Sequence, residues 1–307
     1  MRHLKTFELI EAVARTGSMR KAAEDMAITA SALNRRINSF EEEFGAEIFE
    51  RLPGGVRLNP AGEILLQHFR ATRSDLARVQ SQVADLSGVR RGHVSIACSQ
   101  ALLPYFMPSQ IARYRADHPG VTFSVAVRDR DQAEAELASY SSDIALVFEP
   151  IHLVDFEIVH LEPQPVCAVM AHDHPLATKK ELRLRDCLDA PHVVPSAKYG
   201  VRFLLDQAMK HGTRRLNPIV ETESFELIRH YVLHERAVGF QIPIGLTGPG
   251  DGAILFRPIS ERDIPPGNLI LGQKRGRTLP VASARFSMQL AAALKDFRAG
   301  VELPEMT

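Results

Sequence analysis

The chain has 307 residues, which is long for one domain and leaves room for a small head and a larger body. Lys and Arg together number 37, as do Asp and Glu, so the formal net charge is zero and any binding of nucleic acid must come from a local basic face. Charges come too early for a secretory signal, and no stretch approaches the roughly 20 apolar residues that cross a bilayer. We therefore expect a cytoplasmic protein with no membrane partner.

Two short helices are predicted first. The apolar stripe over residues 4–13 indicates the first helix, and Gly17 ends it. Ser18 is the expected cap of the second helix, because its hydroxyl can accept a hydrogen bond from an open amide of the first turn. The small Ala22–Ala23 pair begins the buried face of this helix and lets a neighbouring helix approach closely.

A third predicted helix carries residue types that read DNA. Thr29 is its expected cap, and Leu33 and Ile37, four residues apart, are its apolar anchors. The other face carries Ala30, Ser31, Asn34, Arg35 and Arg36. In the major groove asparagine pairs with adenine, and arginine pairs with guanine or phosphate, which favours a DNA-binding helix-turn-helix. The alternative is an ordinary helical hairpin with a solvated charged face.

A short β-hairpin, or wing, is predicted after the third helix. Strand-like residues 48–51 and 56–58 flank a Pro-Gly-Gly turn, with Arg51 and Arg57 on either side of it. The complete set of candidate DNA contacts is Ser18, Arg20, Thr29, Ala30, Ser31, Asn34, Arg35, Arg36, Arg51 and Arg57.

One long helix is predicted beyond the wing. Asn59 is its expected cap, with Pro60 at the first helical position. A heptad seam follows at Leu65, Phe69, Thr72, Leu76, Val79, Val83 and Leu86. The small head cannot bury so long a seam, so we expect it to pack against its twin in a homodimer; the alternative is a helix folded back on its own body. The GVRRG sequence at residues 88–92 predicts a hinge.

Strand and helix patterns alternate through the rest of the chain. The predicted elements are strands at 94–98, 121–127, 144–148, 166–171, 219–222, 237–242 and 268–275, and helices at 102–118, 132–139, 201–210, 224–234 and 283–297. This alternation with short loops implies a parallel, doubly wound α/β sheet in each of two lobes. The last strand and helix are expected to return to the first lobe.

Several motifs resemble those of LysR-type transcriptional regulators. In the head they are GS before the Ala22–Ala23 pair, ALxRxI in the third helix, the acidic run into Phe44-Gly45, FER and LNPAGE, in family order and spacing. The body adds YRADHPGV, DHPLA, ETESFELI and VGFQIP. The head departs from the family at Ala30, Ser31 and Asn34, where Gln, Pro and Ser are frequent. The target DNA therefore does not follow from relatives.

The resemblance implies the organisation of the chain. The implied domains are a winged helix-turn-helix head at 1–58, a linker and dimerisation helix at 59–88, and an effector-binding body at 89–307 that is similar to periplasmic binding proteins. The implied lobes cover about 92–161 with 267–300, and about 162–266. It further implies a regulator that binds double-stranded promoter DNA as a homotetramer and acts on RNA polymerase in response to a small effector.

A ligand of a two-lobed α/β body lies between the lobes, beyond the carboxyl ends of the strands. The segments expected there match the family's effector-contacting loops and contain Ser99, Gln100, Ala101, Leu102, Arg130, Ser196, Tyr199, Arg202, Thr222 and Gln241. Ser99 with nearby amides at a helix start, together with Arg130 and Arg202, suits a carboxylate, so we expect a small anionic effector. The alternatives are that Arg130 belongs to a solvated charge run and that Tyr199 only anchors its loop.

Catalytic and metal-binding motifs are missing from the sequence. There is no GxSxG, P-loop, HExxH or dinucleotide fingerprint, and His172 and His174 alone fall short of a metal site, so we expect neither an enzyme nor a cofactor. Cys98, Cys167 and Cys187 are too widely spaced for a disulfide framework, and Cys98 has no partner for redox sensing. The competing function is a cytoplasmic small-molecule binding protein or enzyme whose helical head mediates protein contacts.

Overall fold

The computed structural model describes residues 2–86, 91–210, 215–246 and 253–300. The chain divides into two compact units, Met1–Ala77 and Arg78–Thr307. Among the described residues, no helix is long and apolar enough to cross a membrane.

The head contains the three helices and the wing that the sequence predicts. Its elements are α1 (Arg2–Thr16), α2 (Met19–Asp25), α3 (Ala30–Phe44), β1 (Phe49–Leu52) and β2 (Gly55–Leu58), followed by α4 (Pro60–Leu86). Both predicted caps are confirmed. The Ser18 hydroxyl accepts a hydrogen bond from the amide of Lys21 (3.3 Å), and the Thr29 hydroxyl accepts one from the amide of Ala32 (3.2 Å).

One apolar core joins the helices of the head to the wing. Ile10, Leu33 and Ile37 are fully buried in it. The wing is held at the end of α1, since the amide of Val56 donates to the carbonyl of Gly17 (2.9 Å). A Cβ atom on the neighbouring Gly55 would collide with that carbonyl, so the close approach requires glycine.

The first two positions of the predicted α4 seam belong to the head. Leu65 and Phe69 are only 7% and 2% exposed, and the Phe69 ring stacks on Phe7 with the ring centroids 4.2 Å apart. The prediction that Leu65 and Phe69 face a partner helix is therefore wrong. Their apolar surface is already removed from water within one chain, so it cannot drive association.

A different set of α4 side chains is exposed. The large apolar ones are Ile64, Leu76, Val79 and Val83, at 71%, 41%, 45% and 57% exposure. Thr72 is exposed as well. The side chain of Leu86 and residues 88–90 of the predicted hinge lie outside the described residues.

The body is a two-lobed α/β structure. Its elements in chain order are β3 (Gly92–Cys98), α5 (Phe106–Asp117), β4 (Val121–Val127), α6 (Arg130–Ala138), β5 (Ile144–Phe148), β6 (Phe156–Gln164), β7 (Cys167–Ala171), α7 (Leu184–Leu188), β8 (Val193–Pro195), α8 (Gly200–Met209), β9 (Val220–Thr222), α9 (Phe225–His234), β10 (Gly239–Gln241), β11 (Ile254–Pro258), β12 (Gly267–Lys274) and α10 (Val281–Gly300). Single turns of 3-10 helix at Gln100–Leu102 and Pro243–Gly245 follow β3 and β10.

Lobe 1 is built on a five-stranded mixed sheet in the order β4-β3-β5-β12-β6. Strand β3 runs parallel to β4 and β5, as predicted, but β12 is antiparallel to both β5 and β6. The prediction of an all-parallel sheet fails here because β12 enters from lobe 2 and needs no crossover helix to reach its neighbours. The predicted return of the last strand and helix to lobe 1 is confirmed.

Lobe 2 has a smaller sheet. Strand β7 is central and antiparallel to β10 and β11, whereas β8 and β9 form a separate parallel pair. A single bridge between His192 and Val238 links the pair to β10. The chain passes between the lobes twice, from β6 to β7 and from β11 to β12. The ends of β3, β5, β8 and β10 therefore meet at one cleft.

Candidate nucleic-acid interface and ligand cleft

The outer face of α3 presents polar and basic side chains. Ser31, Arg35 and Arg36 are exposed, and Asn34 is half-buried. Ala30 packs against the core of the head and is less available for contact. Guanidinium and amide donors on one exposed helix face can reach phosphate oxygens and base edges, which is the chemistry of major-groove binding.

A groove of about 930 Å³ separates α3 from the wing. Asn34 and Asn38 line it on the α3 side, and Arg51 lines it on the wing side. Asn38 was not among the predicted contacts, although its position four residues after Asn34 places both on one helix face. Glu41, Glu42, Glu47 and Glu50 line the same groove, so the three hydrogen-bonding side chains share it with negative charge that disfavours phosphate.

The other candidate cations of the head are paired with carboxylates. Arg57 pairs with Glu50 across the wing, and the register places this pair on the opposite face of the hairpin from Arg51. Arg20 lies 3.4 Å from Glu24 on α2. Both arginines are exposed, and exposed ion pairs contribute little, so phosphate can compete for them.

Gln100 joins the two lobes of the body. Its Oε1 accepts a hydrogen bond of 2.7 Å from the amide of Phe225, the first residue of α9. That amide belongs to the open first turn of a helix, where a partial positive charge would suit a carboxylate. The neutral side chain of Gln100 occupies this donor in the structure. The residues beside Gln100 are buried. The amide of Ser99 donates a hydrogen bond to the carbonyl of Leu146 (3.0 Å), and Ala101 and Leu102 lie in the core.

Arg130 also bridges the lobes. Its guanidinium carbon lies 4.3 Å from the centroid of the Phe203 ring on α8, and its Nε donates to the carbonyl of Glu149. Burial lowers the pKa of Arg130, while the charges of Glu149 and Glu134 oppose that shift. The sequence analysis had no signal for Phe203 or Glu149, because neither residue is close to Arg130 in the chain.

Arg202 is neutralised within lobe 2. Its Nε donates to Asp206 (2.9 Å) and its Nη1 donates to Glu221 (2.8 Å). Burial acts to lower its pKa, but the hydrogen bonds and charges of Glu221 and Asp206 raise the pKa overall. The prediction that Arg202 completes a clamp for an anion is therefore corrected: two carboxylates already hold this cation, and an anionic ligand would be repelled by them.

Ser196 is the candidate cleft residue with an unused polar group. Its amide donates to the carbonyl of Thr222 (2.8 Å) and its carbonyl accepts from the amide of Tyr199 (3.1 Å). Its hydroxyl oxygen is buried and makes no hydrogen bond to any described residue. A buried hydroxyl without a partner is costly, so this oxygen would gain a hydrogen bond if a rearrangement of the cleft brought a ligand to it.

The remaining candidate residues of the cleft have structural partners. The Tyr199 ring packs edge-on against Phe225 (5.2 Å between centroids), which favours the loop-anchor interpretation. The Thr222 hydroxyl accepts from the amide of Ser224 (3.1 Å), and the side-chain oxygen of Gln241 accepts from the amide of Ile242 (3.0 Å).

Two glycines let the lobes touch. A Cβ atom on Gly200 would lie 2.6 Å from the carbonyl oxygen of Phe148, and one on Gly245 would lie 2.8 Å from that of Ala101. Each pair joins a residue of lobe 2 to one of lobe 1. The cleft is therefore closed by direct contact, with Gln100 and Arg130 among its polar links.

The three cysteines are buried, and His174 makes a local hydrogen bond. Cys98 is fully buried, and burial raises the pKa of its thiol to about 12, so the thiolate needed for redox chemistry is scarce near neutral pH. The Nδ1 atom of His174 accepts a hydrogen bond from the amide of Leu176 (3.1 Å). No group of three or more metal-ligating side chains occurs in the described ranges.

Comparison with known families gives two matches that together cover most of the chain. Residues 2–63 match the family model of the bacterial regulatory helix-turn-helix protein, lysR family, and residues 87–295 match that of the LysR substrate binding domain. The HTH-type transcriptional activator CmpR of Synechocystis is 26% identical over 229 residues, which cover 75% of each chain. The RuBisCO operon transcriptional regulator of Allochromatium vinosum is 28% identical over 216 residues, 68% of this chain and 71% of that one.

Solved structures share the fold. A full-length OxyR variant from Pseudomonas aeruginosa aligns with a TM-score of 0.64 at 20% identity, covering 95% of this chain and 94% of that one. Full-length CbnR complexed with its target DNA aligns with a TM-score of 0.62 at 16% identity, covering 94% and 99%. The second family match alone spans more than half of the sequence. The chain therefore belongs to the LysR family of transcriptional regulators, which are DNA-binding proteins and not enzymes.

Proposed function

We propose that this regulator binds promoter DNA as a dimer, or a dimer of dimers, and alters the action of RNA polymerase when a small anionic effector enters the cleft between its lobes. In this proposal residues 1–58 bind DNA, residues 59–88 link and dimerise, and residues 89–307 bind the effector. The observation that carries the DNA-binding part is the exposed polar and basic face of α3, which carries Ser31, Arg35 and Arg36.

A footprint on the DNA upstream of the protein's own gene tests this interface. We expect protection over several helical turns, with an inverted repeat inside, at moderate salt and with non-specific competitor. Replacing Arg35 and Arg51 together by alanine should abolish protection and leave the oligomeric state unchanged. Arg15→Ala is the matched control, because Arg15 is also an exposed cation of the head but pairs with Asp25 (2.8 Å) away from the candidate DNA contacts. Equal loss of protection in both variants would contradict the assigned interface.

The exposed stripe on α4 supports the dimer. Thr72, Leu76, Val79 and Val83 recur at heptad spacing and are exposed in a single chain. Apolar side chains at this spacing are stabilised by a second helix that buries them. The tetramer rests on the family resemblance alone.

The effector part of the proposal rests on Arg130 and Ser196. The guanidinium of Arg130 lies over the Phe203 ring and donates to the carbonyl of Glu149. The carboxylates of Glu134 and Glu149 also act on it, but they already accept hydrogen bonds from backbone amides, so a carboxylate ligand would gain a direct charge-assisted hydrogen bond against their repulsion. The unused hydroxyl of Ser196 can donate a further hydrogen bond. An anion at Arg130 would compete with Phe203 and Glu149 for the guanidinium and so change the contact between the lobes. Such a ligand shifts promoter activity only if it prefers one arrangement of the lobes.

Thermal unfolding with a panel of small mono- and dicarboxylates tests the effector class. A carboxylate that stabilises the wild-type protein should fail to stabilise Arg130→Ala. Arg128→Ala is the matched control, because Arg128 pairs with Glu136 inside lobe 1. Stabilisation by neutral compounds only, or by the same carboxylate in Arg130→Ala, would contradict an anionic effector held by Arg130.

A further inference from the structure

A carboxylate bridge connects α1 to the linker helix α4. Glu11 uses both of its oxygens: Oε1 accepts from Nε of Arg70 (2.7 Å) and Oε2 accepts from Nη1 of Arg73 (2.6 Å). The two arginines are three residues apart and so lie on one face of α4. The side chains of Glu11 and Arg70 are only 23% and 24% exposed, which makes this bridge better shielded than the surface pairs of the head.

A chain of aromatic rings runs from α3, the helix with the candidate DNA contacts, to the same part of α4. Phe40 of α3 contacts Phe7 of α1 edge-on (5.3 Å), and Phe7 stacks on Phe69 of α4 (4.2 Å). The guanidinium of Arg73 lies over the outer ring, 5.7 Å from the centroid of Phe69. The recognition helix is thus in continuous contact with the linker helix through side chains of one compact unit.

The apolar contacts and the Glu11 bridge restrain α4 in different ways. Close packing of the rings already resists sliding of α4 on Phe7, and directional hydrogen bonds add a further restraint. The Glu11 carboxylate accepts one charge-assisted hydrogen bond from each of two arginines on neighbouring turns of α4. Together these two bonds restrain both the rotation and the axial position of α4. We propose that Glu11 is a positioning residue that sets the direction of α4 relative to α3, and through the dimer sets the spacing of the two DNA half-sites that the protein accepts.

The inference rests on the proposed function, since it needs DNA contact through α3 and dimerisation through α4. Helix geometry gives the size of the displacement expected at the dimer contact. Ten residues of helix beyond Arg73 extend about 15 Å, so a turn of about 10° at the bridge moves the dimer contact by about 2.6 Å in each subunit. The two displacements together exceed the rise of about 3.4 Å per base pair of B-DNA. A step of one base pair also turns one half-site by about 35° around the DNA axis, so both the direction and the rotation of α4 bear on which spacing the dimer accepts. Loss of the bridge should therefore weaken the discrimination between neighbouring spacings.

The test uses the full-length protein and a set of DNA duplexes. Each duplex carries the two half-sites from the wild-type footprint, with the separation between them changed one base pair at a time. Dissociation constants are measured by fluorescence anisotropy at one salt concentration. We expect the wild type to lose about tenfold in affinity at one base pair from the best spacing, which corresponds to a modest deformation of DNA or protein. For Glu11→Gln we expect that loss to fall below about threefold, with the affinity at the best spacing nearly unchanged.

A merely structural role would give a different result. A destabilised head would weaken binding by the same factor at every half-site separation. Loss of a positioning residue would instead reduce the difference in affinity between one separation and the next. Arg73→Gln removes one arm of the bridge at a position where the side chain is 44% exposed, so it gives the same test if Glu11→Gln fails to fold. Arg15→Ala, which breaks the exposed pair with Asp25, should retain the sharp wild-type profile.

The outcomes separate this inference from the proposed function. A sharp profile in the wild type that persists in Glu11→Gln and in Arg73→Gln would overturn the role of the bridge and leave the DNA-binding proposal intact. Absence of specific binding in the wild type would overturn the proposed function and with it this inference, whereas specific binding without a spacing preference would overturn this inference alone.

Discussion

The hydrogen bond between Gln100 and Phe225 makes a sharp prediction, because it links the two lobes through residues 125 positions apart. Gln100→Ala removes the acceptor and leaves the amide of Phe225 to water. A neutral hydrogen bond of this kind contributes about 0.5–1.5 kcal/mol net. The closed arrangement of the lobes should therefore be disfavoured by between about two- and tenfold relative to the wild type.

Hydrogen exchange at the amide of Phe225 tests this hydrogen bond. The exchange rate of that amide should rise by at least this factor in Gln100→Ala, because the amide loses its acceptor in addition to any opening of the lobes. Gln289→Ala is the matched control, since it breaks a glutamine contact with the carbonyl of Gln110 (2.9 Å) inside lobe 1 and should leave Phe225 unchanged. The reasoning is refuted if the Phe225 amide exchanges equally fast in the wild type and in Gln100→Ala.

Three further predictions follow from the head and the body. Burial alone acts to raise the pKa of Glu11, but the hydrogen bonds and charges of Arg70 and Arg73 leave it lowered. The bridge should therefore stabilise the head above the usual carboxyl pKa and be lost as the pH falls through the lowered value; urea unfolding of wild type and Glu11→Gln should converge at low pH. Phe69→Ala should lower the free energy of unfolding by about 3–5 kcal/mol because it opens a cavity. Leu76→Ala should chiefly raise the dissociation constant of the dimer, as measured by sedimentation. Cys98, with its thiol pKa raised to about 12 by burial, should resist alkylation by iodoacetamide at pH 8 until the protein is unfolded.

Local features of the fold could be predicted from the sequence because their causes are local. The caps at Ser18 and Thr29 involve amides three residues away, and the start of α4 at Pro60 depends on the backbone angle of proline itself. Alternating strands and helices indicated the α/β body for the same reason. The mixed sheet of lobe 1 was not predictable from this pattern, since the direction of β12 depends on where the chain returns from lobe 2.

Side-chain roles at the sites were less predictable. Phe69 and Leu76 occupy equivalent positions, seven residues apart in one heptad pattern, yet only Phe69 is buried. Arg130 and Arg202 looked equally suited to an anion, but Glu221, nineteen residues beyond Arg202, takes up its charge. The periodicity of a helix specifies which residues share a face and carries no information on what packs against that face.

The sequence by itself determined the family, the order of the helices and strands, and the polar face of the recognition helix, because these depend on residue types and short-range spacing. Only the tertiary structure decided which α4 residues remain for a partner, that Gln100 occupies the first amide of α9, and that Glu11 joins two arginines some sixty residues away. Such contacts arise when distant segments are packed together, and packing depends on the shape and charge of both surfaces at once.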